Sequence, residues 1–375
     1  MRILMVSMNS IHFRRWTSQL ENSGHEVFWF DALGAEGVIK ELPWVTQKSD
    51  WRLRLKKGRY LIKKLGFIKK LNERNISKAF EDYVKEIKPD VVHCFAFQIS
   101  IIPILDVIKR YRNIKWVGSS WGSDVYYFKE LGISRDQFYE SVKHLNYMFT
   151  DCKRDARILR ECGFEGVHLG VFPGNGGIDF NLPFDNLKRP DERNRIFIKA
   201  YDDEIARGEV VAKAIFELPT SMFADYVLVF LGASEDSIAH IKAAHTTKLK
   251  MEIYPRNEPI KNSQILELLS DSYLYIGNSL SDGIPNLLLE AMGNGAFPIQ
   301  SNPGGVTSEI IEDEKNGLLI KDSLDVEEIK SLLTKALSDH SMIENCFENN
   351  IKEIRSRCNR KNLIRKIEEA YIQMV

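Results

Sequence analysis

The sequence predicts an α/β protein of two Rossmann-like domains, each built on a parallel sheet, that face a cleft. Three observations support this fold class. The chain has 375 residues, which is more than one typical domain needs. Strand and helix patterns alternate along both halves, and parallel strands require such helical crossovers. A strongly polar stretch, LKRPDERNR at residues 187–195, separates the two alternations and marks the domain boundary.

The first half alternates short apolar strands with amphipathic helices. Strands are expected at residues 2–8, 26–30, 90–96 and 115–119, and helices at 13–23, 76–87 and 102–111. Gly24 ends the first helix and Pro89 closes the second, because glycine favours a helix C-terminus and proline cannot continue a helix.

The second half repeats this alternation. Strands are expected at residues 196–199, 226–231, 273–277 and 296–300, and helices at 209–217, 263–269 and 285–293. Ligands in such sheets lie beyond the C-terminal ends of the strands. Polar residues that follow a strand are therefore the first candidates for a site.

Charge and cysteine content exclude several classes of protein. Lys plus Arg and Asp plus Glu both total 52, and this zero net charge argues against a protein that coats nucleic acid. The five cysteines include no C-x-x-C pair, which fits reduced cytoplasmic thiols better than disulfides or a zinc site. MRILMVSMNS predicts a first strand rather than a signal peptide, and no apolar run is long enough for a transmembrane helix.

One stretch of the second half joins a turn-rich loop to a helix with a lone acid. It is SDGIPNLLLEAMGNG, residues 281–295, with Asp282 and Glu290 eight positions apart. Pro285 suits the first helical position, and the N–H groups that follow can bind a diphosphate. A carboxylate among leucines needs donors, which a ribose diol supplies. A turn residue and a solvated helix residue are the alternative interpretation. The candidate donor-binding residues are Gly283, Ile284, Pro285, Asn286, Leu287 and Glu290.

The same stretch carries a family resemblance. SDGIPNLLLEAMGNGAFPIQSNPGGVTSEII, followed by NGLLI, strongly resembles the C-terminal signature of family 4 retaining glycosyltransferases of the GT-B fold. Their motif is E-x7-E, and this chain has Asp282-x7-Glu290, as in a variant branch with Asp first. The resemblance implies that Asp282 contacts the transferred sugar and that Glu290 binds the ribose.

A second segment, IFIKAYDDEIARGEVVAKAIFEL, supports the resemblance. The family places two basic residues here, which grip the diphosphate. Lys199 closes the strand and Arg207 precedes the helix, with the usual order of Arg and Lys exchanged. The resemblance implies that Asp282, Lys199 and Arg207 are catalytic, because fixed cations stabilise the charge on the departing diphosphate. Without it, two solvated cations would be the preferred interpretation.

Metal binding is not expected. Asp202 and Asp203, in YDDE, resemble the acidic metal motif of the other major glycosyltransferase fold. In this context a polar loop is favoured, so we expect no metal and no other cofactor.

The first half offers contacts for the sugar or the acceptor. In HFRRW, residues 12–16, His12 and Arg15 are candidates to touch the donor phosphates or the acceptor, and a solvated helix start is equally compatible. In GSSWGSDVYY, Trp121 stands where the family often has a histidine near the donor sugar. Tryptophan cannot accept a proton but can stack on a sugar face. Trp121 is therefore a candidate sugar platform, and Asp124 a candidate ligand for a hydroxyl group.

Residues 52–74, RLRLKKGRYLIKKLGFIKKLNER, form a basic segment with ten Lys or Arg and one acid. Leu61, Leu65 and Ile68 would share one face of a helix, and basic residues the other. Such a segment can lie on an anionic membrane surface. A solvated basic face, or a patch that meets an anionic acceptor, is the alternative.

The resemblance covers nearly the whole chain. It implies a cytoplasmic, retaining glycosyltransferase that moves a sugar from a nucleotide-diphosphate sugar to a glycan, lipid-linked or other hydroxyl acceptor, in surface polysaccharide or glycoconjugate synthesis. The acceptor domain is expected at 1–188, the nucleotide-sugar domain at 189–353, and a C-terminal helix that returns to the first domain at 354–375. A nucleotide-sugar 2-epimerase and a non-catalytic nucleotide-sugar-binding protein are the alternatives, and turnover only with an added acceptor would separate them from transfer.

Overall fold

The structure, a computed structural model, describes residues 1–53, 72–243 and 249–374. The chain divides into two compact units, Met1–Gly177 with Arg360–Val375, and Ile178–Asn359. The division falls at Gly177, before the expected limit at residue 188, because the polar stretch that follows packs within the second unit. There Leu187 lies against Phe347 and Ile351.

The first unit contains a seven-stranded parallel sheet in the order β3-β2-β1-β4-β5-β6-β7. Its strands are β1 (Arg2–Ser7), β2 (Glu26–Asp31), β3 (Thr46–Lys48), β4 (Val91–Phe95), β5 (Lys115–Ser119), β6 (Tyr147–Thr150) and β7 (Val167–Val171). Its helices are α1 (Ile11–Thr17), α2 (Ile76–Ile87), α3 (Leu105–Arg110), α4 (Ser123–Tyr126), α5 (Arg135–Lys143) and α6 (Lys153–Glu161). Apolar clusters cover both faces of the sheet, as parallel sheets require.

The second unit contains a six-stranded parallel sheet in the order β10-β9-β8-β11-β12-β13. Its strands are β8 (Arg195–Lys199), β9 (Val227–Ala233), β10 (Lys250–Pro255), β11 (Ser272–Gly277), β12 (Phe297–Ser301) and β13 (Leu318–Ile320). Its helices are α7 (Gly208–Glu217), α8 (Glu235–Ala243), α9 (Asn262–Ser270), α10 (Asn286–Gly293), α11 (Val326–Ser338) and α12 (His340–Cys358).

The last helix, α13 (Arg360–Ile372), belongs to the first unit, which confirms the expected return of the C-terminal helix. Leu363, Ile367 and Tyr371 are buried there among the apolar residues of the sheet. The Tyr371 hydroxyl also bonds to His93 Nδ1 at 2.5 Å and accepts from Trp16 Nε1 at 3.2 Å. The returning segment thus begins at Arg360 rather than at residue 354.

Local chemistry explains where the helices begin. α1 starts at Ile11, before the expected residue 13, because the Ser10 hydroxyl accepts from Phe13 N at 3.1 Å. α10 starts at Asn286, and Pro285, with ψ of 126°, is its N-cap. We expected Pro285 at the first helical position, which is one residue later in the helix.

The basic segment is only partly described. Residues 54–71, which hold most of its charges, lie outside the described residues. Among the described helices, none has both the length and the apolar character that a membrane span needs.

Candidate functional site

Two charged side chains meet at the C-terminal ends of neighbouring strands in the second unit. Lys199 is the last residue of β8, and Asp282 lies in the loop after β11, the strand that pairs with β8. Lys199 Nζ lies 3.4 Å from Asp282 Oδ2, and the two side chains are 14% and 27% exposed. The sheet order therefore brings together an acid and a base that are 83 residues apart in the sequence.

Glu290 lies in the middle of α10 and is buried, as the run LLLEAM predicts. Its Oε1 accepts a hydrogen bond from Asn262 Nδ2 at 3.1 Å. Asn262 is the first residue of α9, so packing of α9 beside α10 supplies the donor that a buried carboxylate needs.

The loop before α10 holds the other expected donor-binding residues. Ile284 is buried, and Gly283 and Pro285 flank it in the approach to the helix. Asn286 and Leu287 form the first turn of α10, where the helix dipole gives the main-chain N–H groups partial positive charge. This end of the helix follows Asp282 directly along the chain.

The Arg207 side chain closes its own loop. Its guanidinium donates to the carbonyls of Asp203 at 2.6 Å, Ala206 at 2.7 Å and Glu204 at 3.3 Å. The next position needs a glycine, Gly208, because α7 begins very close to β8. A Cβ at that position would lie 2.6 Å from the main chain of Ala200. Arg207 therefore shapes the loop beside Lys199 through main-chain bonds.

Sequence reasoning missed three residues near these side chains. Tyr201 lies between two cations, with Lys199 Nζ 6.0 Å and the Arg256 guanidinium carbon 5.4 Å from its ring centre. Arg256 also pairs with Asp203 at 3.1 Å. Asn262, the partner of Glu290, is the third. Arg256 directly follows β10 and Asn262 is the first residue of the next helix, α9, so both lie beyond the end of a strand, and this position is the signal that could have found them.

In the first unit, two of the expected contact residues lie side by side. The rings of His12 and Trp121 are 5.8 Å apart at an angle of 57°, and Trp121 lies 6.0 Å from Phe95. Both His12 and Trp121 are half-buried. The contact of Trp121 with a sugar face stays a prediction.

Asp124 and Arg15 both bind the main chain. Asp124 accepts from the N–H of Phe97 at 2.9 Å and of Trp121 at 2.8 Å, and burial raises the pKa of its carboxyl to about 7. Arg15 donates to the carbonyl of Gly177 at 2.8 Å. The structure thus gives both residues a part in fixing loops.

One group among the described residues has the atoms to hold a metal. Ligand atoms of Asp151, Cys152 and Asp155 lie within 4.8 Å of one another, and all three residues are buried. Arg154 already pairs with Asp155 at 2.8 Å. Burial, reinforced by the neighbouring acids, also raises the pKa of Asp151 well above its usual range. The Arg154 guanidinium and protons retained by the carboxyl groups can therefore balance the negative charge of this cluster without a metal.

The two parallel-sheet units give the chain the GT-B fold, which several solved structures share. Sucrose-phosphate synthase from Thermosynechococcus elongatus is 14% identical with a TM-score of 0.70, over 100% of this chain and 98% of that one. HepE from Anabaena, solved with UDP-glucose, is 12% identical with a TM-score of 0.69 over 100% of both chains. A glycosyltransferase from Rickettsia africae is 16% identical with a TM-score of 0.65, over 100% and 98%.

Sequence comparison points to the same class. Residues 180–353 match the family model described as Glycosyl transferases group 1, and residues 52–152 match the model described as Glycosyl transferase 4-like. No curated protein sequence gives a significant match. Together, the family models and the fold support a glycosyltransferase of the GT-B superfamily.

Proposed function

We propose that the chain is a retaining, metal-independent glycosyltransferase of the family 4 type with D-x7-E in place of E-x7-E. It moves a sugar from a nucleotide-diphosphate sugar to a hydroxyl acceptor. The observation that carries the proposal is the Lys199–Asp282 pair, 3.4 Å apart, in the approach to the helix that buries Glu290.

Each of these groups has a role in donor binding. Glu290 binds the ribose hydroxyls, and its bond from Asn262 orients the carboxylate for them. Lys199 and the N-terminus of α10 attract the diphosphate. Asp282 binds hydroxyls of the sugar. Because Lys199 also pairs with Asp282, its ammonium lies between the Asp282 carboxylate and the phosphate of the donor.

The same groups lower the barrier to transfer. The acceptor hydroxyl attacks the anomeric carbon on the face that the phosphate leaves, the bond to phosphate breaks, and the departing phosphate takes the acceptor proton. Negative charge grows on that phosphate, and Lys199 is fixed where it can stabilise the charge. Asp282 orients the sugar and forms no covalent bond.

We further propose that the reaction takes place in the cytoplasm, at the inner face of a membrane, in the synthesis of surface polysaccharide or glycoconjugates. The charge pattern of residues 52–74 supports this proposal. Flotation with anionic liposomes tests it: changing Lys63, Lys64, Lys69 and Lys70 to Glu should abolish binding. Unchanged binding would remove the membrane from the proposal.

The donor can be identified by thermal shift, because a ligand that binds only the folded chain raises the unfolding temperature. UDP-sugars come first in the panel, since HepE, at 12% identity, was solved with UDP-glucose. The donor that binds is then incubated with glycan and lipid-linked acceptors, with and without EDTA. NMR of the product should show that the anomeric configuration is retained. The rate of transfer should be the same with and without EDTA.

Other outcomes would support the alternatives. Binding without transfer to any acceptor favours a nucleotide-sugar-binding protein, and conversion of the donor sugar without an acceptor favours an epimerase. Inverted product contradicts the retaining mechanism.

A further inference from the structure

Two polar side chains lie fully buried on the neighbouring strands β11 and β12. The Tyr275 hydroxyl donates to Gln300 Oε1 at 3.3 Å, and both residues are 0% exposed. Gly277 leaves the space for them, since a Cβ there would lie 2.2 Å from Gln300 Oε1 and 2.6 Å from the Tyr275 hydroxyl. Burying polar groups costs free energy, so an apolar pair would be the simpler way to fill this core.

The pair connects to the loop that carries Asp282. Gln300 Nε2 donates to the Ser301 hydroxyl at 3.2 Å, and this hydroxyl accepts from the main-chain N–H of Ser279 at 2.9 Å. Ser279 lies in the loop between β11 and Asp282. A continuous chain of buried hydrogen bonds therefore runs from the phenol to the backbone of that loop.

The pair also lies within the electric field of both donor-site acids. Burial raises the pKa of Tyr275 far above its usual range, and the carboxylates of Asp282 and Glu290 raise it further. The phenol therefore stays protonated and keeps its proton for the bond to Gln300.

We propose that Tyr275 and Gln300 are positioning residues, which fix the loop that carries Asp282 and so place its carboxylate for binding hydroxyl groups. The pair acts through this loop and does not itself touch the donor. This inference rests on the proposed function of the same site.

The test compares Tyr275→Phe and Gln300→Met with Tyr273→Phe. Tyr273 is a matched control on β11, because its hydroxyl bonds to His340 Nδ1 at 2.7 Å instead. The readouts are turnover of UDP-glucose with water as acceptor, the Kd for UDP, and the unfolding temperature. We expect kcat to fall about tenfold in both test variants, with the Kd for UDP within about threefold, because UDP lacks the sugar that Asp282 orients.

The split between kcat and UDP binding separates positioning from a merely structural effect. Tyr275→Phe should lower kcat and leave the Kd for UDP in place, whereas Tyr273→Phe should change neither. If Tyr275→Phe matches Tyr273→Phe in kcat while the wild type turns over UDP-glucose, the positioning role is excluded. If the wild type neither binds nor turns over any nucleotide sugar, the proposed function itself fails, and this inference fails with it.

Discussion

The two units use their expected polar residues in different ways. In the second unit, Lys199 pairs with Asp282 and Glu290 accepts from Asn262, so these side chains bind side chains. Arg207, which is also an expected catalytic residue, binds main-chain carbonyls. In the first unit, Asp124 binds two main-chain N–H groups and Arg15 a main-chain carbonyl. Asp124 and Asp282, which both follow a strand, thus end with different partners.

This difference teaches how to separate binding residues from residues that shape a loop. A side chain that bonds to the main chain of its own fold is needed there whether or not a ligand is bound. A side chain that pairs with another side chain can exchange that partner for a ligand at lower cost. The comparison predicts that substituting a side chain that bonds to the main chain lowers stability. Substituting a side chain that pairs with another side chain should lower turnover.

The largest expected effect follows removal of the Lys199 charge. Lys199→Met should lower kcat/KM by about 10²- to 10³-fold, because one fixed stabiliser of the departing charge is lost. Lys213→Met is the control, since Lys213 is exposed on α7 and only approaches Glu217, at 4.0 Å. Steady-state kinetics of the donor identified by thermal shift would measure both. A fall in kcat/KM of less than about threefold in Lys199→Met would contradict the expected role of side-chain pairs in turnover.

Glu290→Gln should weaken donor binding more than turnover. The amide keeps the shape but loses the charge that strengthens its bonds to the ribose hydroxyls, so the donor Kd should rise about tenfold. Calorimetric titration measures the change, and Glu267→Gln, an exposed residue on α9, is the control. An unchanged Kd would exclude Glu290 from ribose binding.

Asp124→Asn should reduce stability. An amide has one oxygen, so either Phe97 N–H or Trp121 N–H loses its buried acceptor, at a cost of about 1–3 kcal/mol in the free energy of unfolding. Denaturant unfolding measures this cost. Asp136→Asn, at an exposed position in α5, is the control and should change little.

The stability difference between wild type and Asp124→Asn should depend on pH. The folded pKa of Asp124, about 7, lies above the ordinary 3.8, so the folded chain holds this proton more tightly than the unfolded chain. The resulting stability is fully present below about pH 4 and is lost as the pH rises through about 7. The advantage of the wild type should therefore shrink across that range, and a growing advantage would contradict this assignment.

Strong patterns in the sequence predicted much of the fold. α2 and β5 have the expected bounds. β3 was not expected, because its three residues TQK have no apolar alternation, and β7, whose sequence VHLGV contains a glycine, was not expected either. These two strands are ordered by pairing with neighbours, which short sequence windows do not record.

The sequence predicted which types of residue form the candidate site, but it did not predict their hydrogen-bond partners. The lone acid in LLLEAM predicted a buried Glu290, while its donor Asn262 comes from another helix, 28 residues away. Asp124 follows a strand just as Asp282 does, yet Phe97, 27 residues before it, turns its N–H toward the carboxylate. Packing between elements decides such partners, and spacing within one motif cannot.

The smallest expected effect compares two arginines that both bind carbonyls, Arg207 in the second unit and Arg15 in the first. Arg207→Lys cannot span three carbonyls, so the loop beside Lys199 should loosen and the donor KM should rise about threefold. Arg15→Lys should lower the unfolding temperature slightly and leave the donor KM unchanged, since the carbonyl of Gly177 can still accept from an ammonium. Donor KM and thermal unfolding of the two variants measure the contrast. If Arg15→Lys raised the donor KM as much as Arg207→Lys, a role of Arg15 in fixing its loop alone would be contradicted, and Arg15 would again be a candidate contact of the donor.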